Sequence, residues 1–536
     1  MKKLLFVSLW LISMTAMAQN QDLVKLSTGK IICFEPIYKK EKLDNFAFVE
    51  KVWGYCAIYL LDKLGKEKYK IKYVLMDKNL NKFASSEFSD YKMWASSTGS
   101  LPNYKIWLED KTNNIIVCGS HSRTYQINIK DNTISHYIEL DKKTVDLDQK
   151  NSVLNSSISR KYAKVGMKSH REERFDSLNY IIYNFNTNHK KIEYIESLSY
   201  YNTKDSSLIW TRPMNLKAEE KDNNAREIYY YTHLAENENM LIFFKTVRRN
   251  DIKIPLAGYG NLDHKTEGIL CLNRKTGEIL YNNDVFKDET IVFTKEEVGG
   301  QSIKGNKYIF AYQGINEDNQ FEGYHFDLID LNTGQILKKN HFEFKDAKAD
   351  LNFKKNSNKL EGGFQLIQKD FRIHQDGRIT LLCEKYKAEK GPLDFLGMIP
   401  IAGTIVAGAA HQQAKATDFV LFNFNDDFTL ESTNTLKKEL TKGYNSDFLF
   451  SQYIDNGNSS VLFYKDEIKE EKTNNKEWKL GIVTVKNSEV KSEEIPMTKK
   501  EKFVIIPVPA KEGYILLREY NEDEKYDQIR LEKLNY

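Results

Sequence analysis

The sequence predicts an all-β fold, a single β-propeller of seven or eight blades, from three observations. A strand–turn–strand unit recurs along the chain, most clearly at Cys271–Leu280 and Leu328–Leu337. Each copy turns at residues such as Asn, Asp, Ser and Gly, which tolerate left-handed backbone or cap their own turn. Many strand segments are apolar on both faces, which indicates sheets that are covered on both sides. A unit that repeats every several tens of residues is typical of an array of packed modules.

The N-terminal segment 1–18 has the pattern of a secretory signal peptide. Lys2 and Lys3 precede an apolar core from Leu4 to Ile12, and Ala16–Ala18 forms a small-residue cleavage site. The apolar core is too short to span a bilayer. We therefore expect export and a mature domain of residues 19–536 that is periplasmic, associated with the outer membrane, or secreted.

Charge and composition favour a folded protein without a nucleic-acid partner. The chain carries 79 basic and 75 acidic residues, a net charge of +4, and 12% of its residues are aromatic. A disordered chain would have fewer aromatic residues and a larger net charge. Nucleic-acid binding would need a concentrated basic face, which this balance does not indicate.

The cysteines fit buried core positions better than a disulfide framework or a metal site. They show no C-x-x-C spacing and no nearby histidine pairs, and each falls in an apolar, strand-like run. Their disulfide state stays open from the sequence. The five are Cys33, Cys56, Cys118, Cys271 and Cys383.

The repeat can be followed eight times when its turn is taken as the anchor. The predicted turns are Ser27–Gly29, Asp77–Asn79, Lys130–Asn132, Lys204–Ser206, Lys275–Gly277, Asn332–Gly334, Asn425–Asp427 and Lys486–Ser488. An earlier strand usually precedes each strand pair, at Ile115–Cys118, Leu241–Phe244, Tyr308–Ala311, Ile379–Leu382, Val461–Tyr464 and Tyr514–Leu517.

The two chain ends predict that the ring closes on itself. The last unit runs to Tyr536 without a turn of this kind, whereas the mature N-terminus begins with the turn at Ser27–Gly29. We therefore expect the N-terminal strand to complete the last blade, which would protect the edge strands that an open array exposes.

The Thr-Gly turns at Thr276–Gly277 and Thr333–Gly334 resemble those of propeller repeats in the quinoprotein and YVTN-type families. The whole chain also resembles the uncharacterised secreted β-propeller-like proteins of Bacteroidota. This resemblance implies a propeller fold and no assigned activity. Quinoprotein dehydrogenases carry a vicinal disulfide beside their cofactor, and this sequence has no adjacent cysteines. We therefore expect neither that activity nor any cofactor.

The charged segment Asp141–Arg174 separates two repeats. Functionally it would offer a site for an anionic glycan or a lipid headgroup, but we expect a solvated loop or a short helical excursion between blades. Its basic residues include Arg160, Lys161, Lys164, Lys168, Arg171 and Arg174.

Two apolar segments are the candidate interaction loops. Ile254–Gly258 and Ile399–Gly403 share an Ile-Pro-x-Ala-Gly pattern, and both fall between the second and third strands of their repeats, which predicts one common face. The second lies in an apolar insertion at about 391–416, whose stretch Phe395–Ala410 has no charge and which would begin a helix at Pro400. The candidate contact residues are Ile254, Pro255, Leu256, Tyr259, Phe395, Leu396, Met398, Ile399, Pro400, Ile401, Ile405 and Val406.

Three interpretations of the insertion stay open. In the first, the insertion dips into a membrane surface or docks on a partner protein. In the second, it spans a membrane. In the third, it covers the propeller's own face as a short helix. The apolar stretch is shorter than the roughly 20 residues that a bilayer requires, so we expect no transmembrane anchor. An exposed patch of this size would be unusual for a soluble monomer.

The sequence contains none of the compact catalytic signatures. H-E-x-x-H, G-x-S-x-G, the P-loop, G-x-G-x-x-G and C-x-x-C are all absent. Oxygen-rich segments at Asp318–Glu322 and Asp455–Ser459 lack the glycine and distal glutamate of an EF-hand, so we interpret them as polar hairpin turns. We assign no catalytic, cofactor-binding or metal residues. The sequence favours a non-enzymatic binding or scaffolding module of the bacterial envelope. The alternative is an enzyme acting on glycans or peptides, with polar residues converging from several blades at the axis.

Overall fold

The protein is all-β throughout the part of the chain that the computed structural model describes. The described part contains β-strands and short 3₁₀ turns at Phe344–Ala347, Glu361–Gly363 and Asp455–Gly457, but no α-helix. The predicted signal peptide lies outside it. The structure describes residues 24–25, 30–43, 47–64, 68–91, 104–108, 114–118, 124–136, 169–174, 179–188, 191–202, 207–214, 227–236, 239–249, 253–254, 258–259, 263–284, 299–315, 321–333, 335–347, 351–354, 359–387, 415–442, 446–469, 476–497, 504–521 and 526–534.

The strands form eight main sheets, numbered here in chain order. Strand β1 (Val24–Lys25) comes first in the chain but belongs to sheet 8. Sheets 1 and 2 contain β2 (Lys30–Lys42), β3 (Phe48–Lys63), β4 (Lys68–Asp77) and β5 (Lys82–Tyr91), then β6 (Lys105–Leu108), β7 (Ile115–Cys118), β8 (Thr124–Asn128) and β9 (Thr133–His136). Sheet 3 contains β10 (Ser169–Arg174), β11 (Asn179–Asn188), β12 (Lys191–Asn202) and β13 (Leu208–Pro213). Sheet 4 contains β14 (Glu227–Glu236), β15 (Met240–Arg249), β18 (Asp263–Asn273) and β19 (Ile279–Asp284), and the small hairpin β16 (Lys253–Ile254) and β17 (Gly258–Tyr259) lies within its chain segment.

The second half of the chain repeats this arrangement. Sheet 5 contains β20 (Gly299–Ile303), β21 (Lys307–Ile315), β22 (Phe321–Asp330) and β23 (Ile336–Glu343). Sheet 6 contains β24 (Gln365–Ile373), β25 (Ile379–Lys387), β26 (Lys415–Phe424) and β27 (Leu430–Leu436), with β28 (Thr441–Lys442) paired to β26. Sheet 7 contains β29 (Phe448–Ile454), β30 (Ser459–Lys469), β31 (Lys476–Lys486) and β32 (Glu489–Met497), and sheet 8 contains β33 (Val504–Pro509), β34 (Tyr514–Asn521) and β35 (Tyr526–Lys533).

Each sheet is an antiparallel meander, the unit of which propellers are built. Strands that follow one another in the chain are neighbours, apart from the insertion of β16 and β17. Sheet 8 is the exception, because its fourth strand is β1 from the N-terminus. Val24 pairs with Ile529 and Lys25 with Gln528 in antiparallel register.

The predicted turns lie where the sequence placed them, between the third and fourth strands of their sheets. Gly277 has a φ of +71°, and the side chain of Asn273 accepts a hydrogen bond from the Lys275 N–H at 2.9 Å. Asp77 caps its turn in the same way, accepting from the Asn79 N–H at 2.8 Å. The predicted turns at 27–29 and 204–206, and residue 334 of another, lie outside the described residues.

A β-bulge follows this turn in five sheets and was not predicted. One residue at the start of the fourth strand has no partner across the ladder, so that two residues face one on the third strand. Most of these extra residues are apolar and exposed. They are Phe83, Ile209, Leu280, Leu337 and Glu431.

The prediction of strands covered on both faces is confirmed in β26. Phe419 and Leu421 pack into a cluster shared with sheet 7, while Val420, Phe422 and Phe424 pack into one shared with sheet 5. All five side chains are fully buried. The core is therefore a series of layers between neighbouring sheets.

Consecutive sheets pack against each other at most boundaries in the described part of the chain, and sheet 8 packs on sheet 1. Val508, Leu516 and Ile529 of sheet 8 share one apolar cluster with Tyr55 and Val74 of sheet 1. Further clusters join sheets 1 and 2, 3 and 4, 5 and 6, 6 and 7, and 7 and 8. First strands of neighbouring sheets contact one another at β2–β6, β14–β20, β20–β24, β24–β29, β29–β33 and β33–β2.

Three boundaries differ from the prediction. Ser169–Arg174, expected in a solvated loop or helical excursion, is the first strand of sheet 3. Residues 465–469, which follow the predicted strand Val461–Tyr464, extend strand β30. Lys415 and Ala416, placed in the apolar insertion, already pair with the end of β25. In each case backbone pairing includes polar residues, because backbone hydrogen bonds do not depend on side-chain polarity.

Candidate functional site

The candidate interaction loops occupy equivalent connections, as predicted. Ile254 and Tyr259 lie on β16 and β17, a small hairpin between the second and third strands of sheet 4. The insertion at about 391–416 also joins second and third strands, in sheet 6. Pro255, Leu256 and the contact residues from Phe395 to Val406 lie outside the described residues, so the contacts predicted for these loops stay a prediction. Among the described helices, none combines the length and apolar character needed to cross a membrane.

A polar cluster lies between the first strands of sheets 6 and 7, the position where first strands line a propeller axis. Asp370 and Arg372 project from β24, and Ser451 from β29. Asp370 Oδ2 lies 3.1 Å from Arg372 Nε and accepts a hydrogen bond from Ser451 Oγ at 2.5 Å. Arg372 also donates to Ser451, from Nε to Oγ at 2.6 Å and from Nη2 to the carbonyl oxygen at 3.2 Å. We call these three residues and Tyr453 the axial cluster.

Tyr453 extends the axial cluster toward sheet 5. Its hydroxyl lies 2.8 Å from Gln301 Oε1 on β20 and 3.0 Å from the carbonyl oxygen of Ile373. The Arg372 guanidinium carbon lies 4.9 Å from the centre of the Tyr453 ring, a cation–π distance. The cluster therefore ties together the first strands of three consecutive sheets.

Electrostatics keep Arg372 charged in this site. Burial disfavours the charged guanidinium, but the Asp370 carboxylate and hydrogen bonds outweigh it and raise the pKa of Arg372. The side chains of Arg372 and Asp370 are 24% and 14% exposed, so the pair is largely desolvated. Burial also raises the pKa of Tyr453, against the opposing charge of Arg372.

Tyr38 of β2 faces the same region from sheet 1. Surrounding protein raises the pKa of its hydroxyl to about 12, and the charge of Arg372 acts in the opposite direction. The ring nevertheless remains 41% exposed. The Tyr38 hydroxyl is therefore within reach of the charge of Arg372, while the residue stays accessible to solvent.

Gln375 closes the region at the end where the tight turns lie. It is buried, and its Nε2 lies 3.2 Å from the carbonyl oxygen of Phe48 in sheet 1 and 3.4 Å from that of Ser302 in sheet 5. Its backbone N–H donates to the carbonyl oxygen of Gly457 in sheet 7. Turns from four sheets therefore meet around one amide side chain.

Next to Gln375, the buried His374 belongs to a separate hydrogen-bonded chain. Its Nε2 lies 3.0 Å from Thr380 Oγ1, which donates to Asn423 Oδ1 at 3.1 Å. Burial lowers the pKa of His374 to about 4, so the ring is neutral at pH 7. The imidazole is directed at Thr380 rather than at Ser451, and the serine hydroxyl is held by a carboxylate and a guanidinium. This is not the nucleophile–histidine pair of acyl transfer.

A second charged cluster lies near the other end of sheet 6. Lys438, whose side chain is fully buried, lies 2.7 Å from Asp447 Oδ2 and 3.7 Å from Glu384 Oε1. Lys369 Nζ contacts the other oxygen of Glu384 at 3.0 Å, from a bulge in β24. The positive charges of the two lysines equal the negative charges of the two carboxylates. The cluster links sheet 6 to the start of sheet 7.

The cysteine prediction is confirmed for the four thiols that are described. Cys33, Cys56, Cys271 and Cys383 are buried and form no disulfide. Burial raises the pKa of Cys271 to about 12, which makes its thiolate inaccessible at neutral pH. Within the described residues, no group of three or more His, Cys, Asp or Glu side chains is arranged to hold a metal ion.

The turn at Asp455–Ser459 is a polar hairpin turn, as interpreted from the sequence. It joins β29 and β30, and Asp455 Oδ2 lies 2.9 Å from Lys486 Nζ. The carboxylate therefore already has a cationic partner. Of the other oxygen-rich segment, only Phe321 and Glu322 on β22 are among the described residues.

The axial cluster was not identified from the sequence. A usable signal was present, because the first strand of sheet 6 reads Gln-Leu-Ile-Gln-Lys-Asp-Phe-Arg-Ile and so carries polar residues in an otherwise buried sheet. The partners from β20 and β29 lie far along the chain, and no local pattern connects them.

Comparison with known proteins gives low similarities. No protein-family model matches the chain, and no curated protein matches it. Among solved structures, the chain is similar to the WD40 domain of SCAP from fission yeast, at 9% identity and a TM-score of 0.29 over 92% of this chain and 97% of the other. It is also similar to BamB from Moraxella catarrhalis, at 10% identity and a TM-score of 0.20 over 68% and 96% of the two chains. An endo-arabinase from Bacteroides thetaiotaomicron shares 12% identity and a TM-score of 0.21 over 63% and 96%.

Proposed function

We propose that the protein is a closed propeller of eight blades that acts as an exported binding or scaffolding module of the bacterial envelope. The pairing of β1 with β35 and the packing of sheet 8 on sheet 1 support the closed ring. The count of eight rests on the eight four- or five-stranded sheets among the described residues. A ring of this kind is rigid and offers its loops to partners.

One observation carries the choice of binding over catalysis. The charged groups of the axial cluster are engaged with each other, since Asp370, Arg372 and Ser451 form a closed triangle of hydrogen bonds. Gln375 contacts three other sheets at the end where the tight turns lie. These side chains hold blades together, so recognition falls to the faces of the ring.

The apolar connections of sheets 4 and 6 supply the contact surface in this proposal. Both leave their sheets at the end opposite the tight turns, because successive connections of a meander alternate between its two ends. A membrane surface or a partner protein would cover them.

Fractionation of cells tests this function. We expect the wild-type protein in the envelope fraction and a variant lacking residues 391–414 in the soluble periplasmic fraction, with the same circular dichroism spectrum. A variant with Ala257→Ser and Ala402→Ser is the control with both loops at full length. Identical fractionation of the deletion and the wild type would contradict the proposed contact surface.

An enzyme acting on glycans or peptides is the second candidate, because that hypothesis requires polar groups from several blades to meet at the axis. Polar groups from three first strands do converge there, as that hypothesis requires. The test is hydrolysis or elimination on a panel of polysaccharides and peptides, with Arg372→Gln as the matched variant. Turnover by the wild type that the variant lacks would establish the enzyme and overturn the binding proposal.

A further inference from the structure

A cavity of about 540 Å³ lies at the tight-turn end of sheet 1, away from the apolar connections. The cavity lies where the sheet narrows from four strands to two. Strands β2 and β3 continue as a two-stranded arm, Tyr38–Lys42 with Phe48–Val52, beyond the point where β4 ends at Asp77. Its volume falls in the range of about 300–1,000 Å³ that is usual for small-ligand sites.

Two bulges place aromatic rings in this cavity. Between the pairs Ile37–Gly54 and Tyr38–Val52, Trp53 is the extra residue of β3. Phe83 is the extra residue of β5, in the bulge that recurs in other sheets. Their rings meet edge to face, with centroids 5.7 Å apart and an interplanar angle of 84°. Among the described ladders of first and second strands, this is the only bulge whose extra residue lies on the second strand, since the others lie on the first strand.

Gly54 fixes the bulge that presents Trp53. A Cβ atom at this position would lie 2.4 Å from the carbonyl oxygen of Met76, which is too close for any side chain. The backbone of β3 therefore approaches β4 closely here, and the residue before it is displaced outward. Bulges of this kind commonly re-aim a side chain at a functional site.

The cavity also holds two lysines without a carboxylate partner. Lys39 and Lys78 line it and make no ion pair among the described residues. Lys39 stands directly opposite Lys51 in the β2–β3 ladder, an arrangement of like charges that is unfavourable without an anion nearby. Lys51 is paired with Glu41 at 3.0 Å, whereas Lys39 makes no ion pair with any described residue.

The two acidic residues of the cavity are already engaged, Glu41 with Lys51 and Asp77 within its own turn. Asp77 accepts hydrogen bonds from the N–H groups of Asn79 and Asn81 and from the Asn81 amide. These bonds lower the pKa of Asp77 against the effect of burial. The Asn79 Oδ1 accepts a hydrogen bond from Lys511, so the NH₂ group of Asn79 is left to bind a ligand. The side-chain oxygen of Asn81 is also left to bind a ligand.

We propose that this cavity binds an acidic carbohydrate, a pyranose that carries a carboxylate. The aromatic pair supplies a surface for the apolar C–H face of the sugar, the two asparagines face its hydroxyls, and Lys39 and Lys78 pair with the carboxylate. The site has no arginine among its lining residues and no helix N-terminus, the groups that bind phosphate most specifically. A sugar acid therefore fits better than a phosphorylated ligand.

Calorimetric titration of the full-length mature protein with trigalacturonate, at low salt, tests the proposal. We expect Lys39→Gln and Lys78→Gln each to weaken binding by about tenfold, the loss of one charge-assisted contact. Trp53→Ala is expected to weaken it at least as much. Lys491→Gln, an exposed lysine on the outer strand of sheet 7, is the matched control and should bind like the wild type. Both lysine variants change exposed side chains, so their unfolding midpoints should match that of the wild type.

Three outcomes would overturn the assignment. These are no heat of binding with the wild type, equal affinity for a neutral galactose trisaccharide, or undiminished affinity in the Lys39→Gln, Lys78→Gln double variant. Inorganic phosphate at the same concentration should not compete, and competition by it would point to a phosphate site instead.

This assignment rests on the proposed binding function and makes it more specific. Different results would refute the sugar site and the non-enzymatic function. Chromatography of the trisaccharide after incubation shows whether it is cleaved. Cleavage would refute the non-enzymatic function while leaving the site intact. Intact sugar with no binding would refute the site alone.

Discussion

At the scale of single residues, the fold depends on positions where the backbone leaves no room for a side chain. Gly277 ends the turn of sheet 4 against the ring of Trp210, whose Nε1 donates to the carbonyl oxygen of Arg274 at 2.9 Å. Arg212 donates to the carbonyl oxygen of Gly277 itself at 3.0 Å. The turn that marks the repeat in the sequence therefore also connects sheets 3 and 4.

We predict that Gly277→Ala lowers the free energy of unfolding by about 2–4 kcal/mol, from backbone strain and the clash with Trp210 together. An added Cβ would lie 2.7 Å from the Trp210 ring. Gly305→Ala is the control, because Gly305 has a φ of +82° but no atom within 4 Å of the added Cβ. It should cost only about 1 kcal/mol. Urea unfolding measures both, and equal losses would show that Trp210 contributes nothing.

Asp327 makes the stability depend on pH. It is 1% exposed, and neither carboxylate oxygen has a hydrogen-bond partner among the described residues. Burial raises its pKa to about 6, partly offset by Lys339. An acid with a raised folded pKa contributes stability that is fully present below its unfolded value of 3.8 and is lost as pH rises through about 6.

Asp327→Asn should therefore be more stable than the wild type above pH 6, by about 2–3 kcal/mol. The advantage should shrink as the pH falls from 6 to 4, because the wild-type carboxyl becomes protonated. Thermal unfolding of both proteins at several pH values gives the difference curve. A difference that does not change with pH would mean that folding does not shift the pKa of Asp327, because stability depends on pH only where the folded and unfolded states bind different numbers of protons.

At the scale of elements, the sequence predicted what is local. Strand Ile379–Leu382, the turn at Asn425–Asp427 and the two covered faces of β26 follow from neighbouring residues, and all are confirmed. The axial cluster was missed, because Arg372 and Ser451 are separated by 79 positions and Tyr453 and Gln301 by 152, and no periodicity links them. The recurrent bulges were missed for another reason, since register depends on the partner strand.

The axial cluster should act as a clamp between β24 and β29. Asp370→Asn leaves the Arg372 guanidinium largely desolvated without its counter-charge, and we expect a loss of about 2–3 kcal/mol in the free energy of unfolding. Glu494→Gln is the control, because its ion pair with Lys479 is 2.9 Å long but exposed, and it should cost less than about 1 kcal/mol. Denaturant titration of the wild type and both variants measures the two losses in the free energy of unfolding. Similar losses for both variants would contradict a clamp.

At the scale of the whole molecule, the central feature is that the N-terminal strand β1 pairs with the C-terminal strand β35. The sequence predicted this from an unpaired turn at one end and a missing one at the other, while the number of blades stayed open between seven and eight. Spacing alone could not fix the number, because insertions such as the one in sheet 6 lengthen some repeats. The register of β1 on β35 provides the most direct way to test ring closure.

Cross-linking of β1 to β35 is that measurement. Lys25 and Gln528 are direct partners in the antiparallel ladder, where Cα atoms lie about 4.5–5.5 Å apart, within the range that a disulfide spans. The double variant Lys25→Cys, Gln528→Cys should form an intramolecular disulfide under mild oxidation, visible as a faster band on a non-reducing gel. The pair Lys25→Cys, Lys491→Cys, on the outer strands of different sheets, should not. A closed ring predicts an intramolecular bond in the first variant only. Absence of this bond, or only cross-linked dimers, would contradict ring closure.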